Sequence, residues 1–230
     1  MAIYKGNTKI VKLYKGSTQI VKRYKGTDLI YSASRLPAEF QEVEYIESSG
    51  TQYIDSGVDG NNNSGVDMTF AFTYVGGSYG YALGGLVSGS YRFAPLFYDA
   101  TNAGKFLFSD SISFSALNEY GDADTNKHYL SFNYPNRNII YDNVLIKQTA
   151  GTFTNTTGNS IYLFARNFSG ASLKVYMKLY SCKIYDNSVL IRDFVPCYRK
   201  ADNVAGLYDL VNGVFYTNAG TGTFIVGGNV

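Results

Sequence analysis

The sequence has no tryptophan, one histidine, two cysteines and four prolines among 230 residues, and each shortage removes a class of chemistry. The lone histidine, His128 in Lys127-His128-Tyr129-Leu130, has no sequence partner for Ser-His-acid or Cys-His catalysis and reads as structural. Clustered Cys/His metal ligands, a phosphate-binding glycine loop and a dinucleotide fingerprint are missing. No apolar run reaches the roughly 18 residues that a membrane span needs. Met1-Ala2-Ile3-Tyr4-Lys5-Gly6 lacks the apolar stretch of a signal peptide, so the chain is expected to act where it is made, without a membrane. The net charge of +2 does not suit a polyanion binder, and no nucleic-acid partner is expected. The thiols Cys182 and Cys197 sit on the two arms of an apparent hairpin turning at Asp186-Asn187-Ser188. Folding there sets Cys182 near Arg192 and Cys197 near Met177, five residues out of register and on the order of 16 Å apart. That is too far to bridge, so two buried free thiols are expected.

What the chain does have is 22 tyrosines, 15 phenylalanines and 24 glycines. Tyr, Phe and Thr suit a pleated, half-buried surface, and Gly supplies turns. Long runs of Ala, Leu, Glu and Lys are missing. The composition therefore points to an all-β protein, long enough for one large sandwich or two small domains.

Residues 1–31 repeat with a period of ten. Ile3-Tyr4-Lys5-Gly6-Asn7-Thr8-Lys9-Ile10-Val11-Lys12 is followed by Leu13-Tyr14-Lys15-Gly16-Ser17-Thr18-Gln19-Ile20-Val21-Lys22, then by a shortened Arg23-Tyr24-Lys25-Gly26-Thr27-Asp28-Leu29-Ile30. Each Lys-Gly-[Asn/Ser/Thr] is a turn signal between β-prone runs. A meander of this kind buries too little to stand alone. Seven of the 20 lysines and arginines fall in this segment against one acid, Asp28, while the rest of the chain is net acidic. A basic, repetitive, terminal segment reads as a docking or oligomerisation arm, with Tyr4, Lys5, Tyr14, Lys15, Tyr24 and Lys25 as its contact residues. The alternative is an extra sheet on the main domain. Residues 32–35 form a polar linker, and 36–230 a second domain.

In that body, residues 39–43 read as a helical turn or a strand entry. Strands are predicted over 42–46, 52–56, 67–75, 79–86, 91–97, 105–108, 127–133, 137–142, 144–148, 160–166, 173–185, 189–196, 206–209, 214–216 and 223–226. Tyr141-Asp142-Asn143-Val144 and Tyr185-Asp186-Asn187-Ser188 read as hairpin turns. Pro196 should end its strand, because proline cannot donate to a ladder. Many short antiparallel strands at this spacing predict a two-sheet jelly-roll sandwich.

Three stretches carry a resemblance. They are Leu36-Pro37-Ala38-Glu39-Phe40-Gln41-Glu42-Val43-Glu44-Tyr45-Ile46-Glu47-Ser48-Ser49-Gly50-Thr51-Gln52-Tyr53-Ile54-Asp55, then Ile161-Tyr162-Leu163-Phe164-Ala165-Arg166-Asn167, and the C-terminal series Ser181-Cys182-Lys183-Ile184-Tyr185, Val195-Pro196-Cys197-Tyr198-Arg199-Lys200, Gly206-Leu207-Tyr208-Asp209 and Phe215-Tyr216-Thr217-Asn218-Ala219-Gly220-Thr221-Gly222. Together they resemble laminin-G/concanavalin A-like jelly-roll domains of phages and of gut-bacterial surface proteins. The Tyr-Lys-Gly-Ser-Thr arm resembles short repeats at the ends of phage structural proteins. The resemblance implies a non-enzymatic virion protein, a head fibre or a tail component. Its arm would dock on capsid or tail proteins, and its body, as a homo-oligomer, would bind host or mucus glycans. The alternative is a capsid decoration or fibre knob with no ligand. The shared C-terminal motifs read as a lock that fastens the end of the chain to the sandwich.

Sugar binding needs exposed rings to stack on pyranose faces and polar groups to bond the hydroxyls. Tyr79, Tyr81, Tyr91, Arg92, Tyr134, Asn136, Arg137, Arg166 and Asn167 are the turn-proximal candidates. Glu42-Val43-Glu44-Tyr45-Ile46-Glu47 approximates the one-strand acid pattern of jelly-roll glycosidases, but the residue preceding Glu47 needs a bulge, and solvent-facing acids on an edge strand are the preferred reading. Asp59, Asn61 and Asn63 match the first alternating ligands of a calcium loop, yet position six is Ser64 and position twelve Phe70, so a polar surface loop is expected and no cofactor.

Overall fold

The computed structural model describes the backbone of residues 4–5, 8–9, 13–15, 18–20, 22–25, 28–32, 35–76, 79–87, 91–99, 105–109, 124–133, 136, 138–148 and 158–230. The chain divides into two compact units, Met1–Glu39 and Phe40–Val230. Every regular element among the described residues is a strand, and no helix there is long and apolar enough to cross a membrane.

Among the described residues, the first unit carries three two-stranded antiparallel sheets. They are β1 (Tyr4–Lys5) with β2 (Thr8–Lys9), β3 (Leu13–Lys15) with β4 (Thr18–Ile20), and β5 (Lys22–Lys25) with β6 (Asp28–Ser32). The innermost pairs are Lys5↔Thr8, Lys15↔Thr18 and Lys25↔Asp28, so each repeat makes one hairpin, with Gly6-Asn7, Gly16-Ser17 or Gly26-Thr27 between its strands in sequence.

The second unit carries β7 (Phe40–Glu42), β8 (Ile46–Ser49), β9 (Ile54–Asp59), β10 (Ser64–Tyr74), β11 (Tyr79–Val87), β12 (Tyr91–Asp99), β13 (Lys105–Ser109), β14 (His128–Asn133), β15 (Asn138–Tyr141), β16 (Val144–Gln148), β17 (Ser160–Leu163), β18 (Arg166–Asn167), β19 (Ala171–Ser172), β20 (Tyr176–Asp186), β21 (Val189–Arg199), β22 (Val204–Asp209), β23 (Val214–Thr217) and β24 (Ile225–Val226). One sheet runs β16-β15-β14-β10-β20-β21-β22-β23, with β8 beside β20, β24 beside β8 and β7 beside β21. The other runs β13-β12-β11-β17-β9, with the β18–β19 pair attached to β11. Among the described residues, the pairings in the unit are antiparallel except the parallel β11–β18 contact.

Period-two alternation builds the core. Val66, Met68, Phe70 and Phe72 of β10 and Met177, Leu179, Cys182 and Ile184 of β20 are buried in one cluster with Ile54, Ala82, Leu83, Ile161 and Leu163 of the second sheet. Facing sheets that share one apolar layer make a β-sandwich.

The structure moves three details of the sequence reading. The 42–46 strand is two strands, β7 and β8, separated where Val43 bridges to Asn229. The β20–β21 turn is Asp186-Asn187-Ser188-Val189, one residue later than the motif suggests, with Asn187 and Ser188 at φ 48° and 65°. A register shift between Ile184 and Tyr185 then sets Cys182 opposite Phe194, not Arg192. Finally, β21 does not stop at Pro196, which pairs with Leu207. The Pro196 carbonyl accepts a hydrogen bond from Val43 N at 3.0 Å. In an antiparallel strand the N and O of one residue face the same neighbour, so the missing N–H falls at the seam where β21 changes partner from β20 to β7.

Both thiols are free and buried. Burial raises the Cys197 pKa to about 12 despite a backbone hydrogen bond from Tyr208, and burial raises that of Cys182 further. Neither sulfur should react with a colorimetric thiol reagent at neutral pH until the protein is unfolded in guanidinium; labelling of the native state would contradict this packing.

The C-terminal lock is present. Gln52 Nε2 donates to Thr223 O (2.8 Å) and Thr51 Oγ1 to Thr221 O (3.0 Å). Asn218 Oδ1 accepts from Tyr53 N (3.2 Å) and Gly220 N (2.7 Å). Residues 51–53 and 218–223 therefore hold each other, through side chains whose amides and hydroxyls satisfy loop backbone.

Candidate functional site

The outer face of the larger sheet carries a cleft of about 230 Å³ at the end where the β9–β10, β14–β15 and β20–β21 connections gather. It is lined by Gly65 and Asp67 of β10, Ser131, Asn133 and the Phe132 main chain of β14, Tyr185 of β20 and Ser188 of the hairpin turn. Strand alternation turns these positions outward while Val66, Phe132 and Ile184 point into the core.

Gly65 opens the cleft. It pairs with Tyr185, and a Cβ there would lie 3.0 Å from Phe132 O, 3.5 Å from Tyr185 Cβ and 3.7 Å from Asn133 Cα. A side chain at residue 65 would fill the space between the Asn133 and Tyr185 columns.

Tyr185 donates its hydroxyl to Asp67 Oδ2 at 2.9 Å, which fixes both groups at the cleft wall. Burial, this hydrogen bond and the Asp67 charge all hold the Tyr185 phenol above its ordinary pKa. Burial and the Asp67 charge also raise the Tyr129 pKa, against a hydrogen bond with Ser131. Both phenols therefore remain neutral donors beside the Asp67 carboxyl. Lys183 lies directly opposite Asp67 on one side and Asp193 on the other, so acids outnumber bases along this row.

The neighbouring turns are braced internally. Asn61 Oδ1 accepts from Asn63 N (2.7 Å), Ser64 Oγ accepts from Asn61 N (2.9 Å), and Asn61 Nδ2 donates to Asp186 Oδ1 (3.3 Å). Asn187 N donates to Asn63 O (3.1 Å). The Asp59–Asn61–Asn63 segment thus spends Asn61 Oδ1 on its own turn, and Asp59 is exposed at the end of β9. No group of three or more His, Cys, Asp or Glu among the described residues could hold a metal.

The residues picked out from sequence are not gathered in one place. Tyr81 is 1 % exposed and packs with Leu86, Ala94 and Leu173, so its ring cannot meet a ligand. Asn167 is also buried, its amide donating to Ser160 O (2.9 Å) and its oxygen accepting from Gly170 N (3.2 Å). Arg166 donates Nε to Ser172 Oγ (3.1 Å), with its guanidinium over Tyr81 and Phe168 at 5.4 and 5.3 Å from the ring centres. These three brace the β18–β19 pair. Tyr79 stands opposite Asp99, and Tyr91 and Arg92 stand opposite Val87 and Leu86, at the other end of the β11–β12 pair. Asn136 is exposed in the β14–β15 turn beside the cleft, and Tyr134 and Arg137 lie outside the described residues. Glu42 and Glu47 lie on different strands, opposite Cys197 and Lys178, with Glu47 Oε2 3.9 Å from Lys178 Nζ. They do not form the one-strand pattern of the glycosidase reading.

Sequence reasoning missed Gly65, Asp67, Ser131, Asn133 and Tyr185 as a group. The available signal was the outward polar register of β10 and β14, where Gly65, Asp67 and Thr69 alternate with Val66, Met68 and Phe70, and Tyr129, Ser131 and Asn133 with Leu130 and Phe132.

No family model, curated protein or solved structure matches this chain.

Proposed function

We propose that this chain is a non-enzymatic, virion-attached binding module whose body takes the neutral end of a glycan into the Gly65–Tyr185 cleft. The observation that carries the reading is the cleft itself: a tyrosine ring beside a fixed carboxylate, an amide, a hydroxyl and an open glycine. A sugar presents an apolar C–H face and a rim of hydroxyls, and this lining offers an amphipathic ring with acceptors and donors to match. At about 230 Å³ the cleft is smaller than the roughly 300–1,000 Å³ of drug-sized sites, which suits one sugar unit rather than a long chain. Asp67 and Asp193 around Lys183 disfavour sialylated or uronic ligands.

In this reading the body is a jelly roll of the laminin-G/concanavalin type. The hairpin arm docks on capsid or tail proteins through Tyr4, Lys5, Tyr14, Lys15, Tyr24 and Lys25, and a homo-oligomer multiplies weak sugar contacts by avidity.

A printed glycan array probed with the full chain at high density tests this. Binding is expected on neutral oligosaccharides and not on their sialylated counterparts. Silence across the array would instead favour a capsid decoration without ligand.

A further inference from the structure

His128, the chain's one histidine, sits at the start of β14 between two carboxylates. Its Nε2 lies 2.7 Å from Asp124 Oδ1 and its Nδ1 2.7 Å from Asp142 Oδ2. The imidazole side chain is 12 % exposed, against 43 % and 46 % for the two acids. The ring stacks on Tyr141 (4.9 Å between centres, 29°) and leans on Phe70 (6.0 Å).

Each carboxylate has a second duty. Asp124 Oδ1 accepts from Asn126 N at 2.8 Å, closing the turn that leads into β14. Asp142 Oδ1 accepts from Tyr129 N at 2.8 Å, and Asp142 itself occupies the β15–β16 turn at φ 48°. An ionised carboxylate offers only acceptors, and a neutral imidazole carries one N–H and one bare lone pair. With a carboxylate oxygen 2.7 Å from each ring nitrogen, a neutral ring would aim its lone pair at one of them. The geometry is satisfied only by the doubly protonated ring.

We infer that His128 is a charge-operated clasp, an imidazolium that ties the Asp124 turn to the β15–β16 turn and lets go of one of them when it loses its proton.

Among the described residues, the titratable groups facing the ring include Asp124, Asp142 and Tyr141. Tyr141 does not compete, because burial and then the charges of Asp142 and Asp124 hold its phenol far above the ordinary range. Burial alone would lower the His128 pKa; the hydrogen bonds to Asp124 and Asp142 and the charges of both outweigh it, and the pKa lies above 6.5. Burial would raise that of Asp124, but the hydrogen bond from His128, those from Asn126 and the His128 charge bring it below 3.8. The stability contributed by His128 is complete below 6.5 and lost as pH rises through its raised folded value. That from Asp124 is complete above 3.8 and lost as pH falls through its depressed folded value. The clasp is therefore closed in mildly acidic solution and opens as pH rises through the raised folded value of His128.

With a single histidine, the full chain labelled with ¹⁵N at His gives one imidazole to follow by long-range ¹H–¹⁵N NMR. Both ring nitrogens should be protonated at pH 6, with one titration midpoint above 6.5. In uniformly ¹⁵N-labelled full chain the amides of Asn126 and Tyr129, which bond the same two acids, should move with that midpoint, and Asp124→Asn should lower it. A wild-type midpoint at or below 6.5, or a single protonated nitrogen at pH 6, overturns the clasp without reliance on any variant.

Discussion

Replacing Phe70 with alanine is expected to cost about 4 kcal/mol of unfolding free energy. The ring is fully buried in the layer between the sheets. It contacts Phe72 (5.4 Å between centres), Tyr141 (6.5 Å) and the imidazole of His128. The strand around it cannot collapse into the hole, because β10 is held on both sides, by β14 and by β20. A register shift between Thr69 and Phe70 sets the ring at that point. The matched control is Val144→Ala in the exposed β15–β16 turn, 61 % accessible, which should stay within about 0.5 kcal/mol of the parent. Guanidinium unfolding midpoints at unchanged slope would measure both. A loss below about 1 kcal/mol for Phe70→Ala would mean that the layer is not packed as described.

Gly206→Ala should be nearly as damaging, at about 3 kcal/mol, or a fall in Tm on the order of 6–12 °C. A Cβ at residue 206 would lie 2.2 Å from Tyr216 O and 2.9 Å from the Phe215 ring. That oxygen belongs to the β22–β23 ladder, where Gly206 pairs with Thr217, so relief requires parting two strands. Gly213 makes a useful contrast. It is a glycine for conformation, at φ 68°, with the nearest atom to its absent Cβ 3.5 Å away. Gly213→Ala should cost only about 1 kcal/mol, from backbone strain rather than collision. Equal losses at the two sites would contradict the close approach at Gly206.

Most strands were legible in the sequence because period-two alternation survives wherever one face is buried. Residues 144–148 match β16, and 206–209 fall inside β22. The ten-residue arm repeat announced where its strands end, since Lys5, Lys15 and Lys25, each followed by Gly in sequence, are the last paired residues of β1, β3 and β5. Register was not legible. The shift at Ile184/Tyr185 and the exchange of partners at Pro196 depend on neighbours distant in the chain, and no local pattern encodes them.

The site was harder for a related reason. Tyrosine suits a core as well as a sugar face, and Tyr81 took the first role. The cleft residues are ordinary outward positions on three strands, and only the sheet order β14-β10-β20 brings them together. His128 reads as structural in both sequence and structure, but its two carboxylate partners lie four and 14 residues away, across a turn and a hairpin that had to fold before the pairing was visible.

The most direct test of the binding account is ¹⁵N–¹H mapping of the full chain with the strongest neutral oligosaccharide from the array, paired with an affinity measurement on Asp67→Asn. The account predicts shift changes centred on Gly65, Asp67, Asn133 and Tyr185, and an affinity loss of about tenfold to a hundredfold on removing the charged acceptor. Shifts centred on another face, or an Asp67→Asn protein that binds as tightly as the parent, would contradict it.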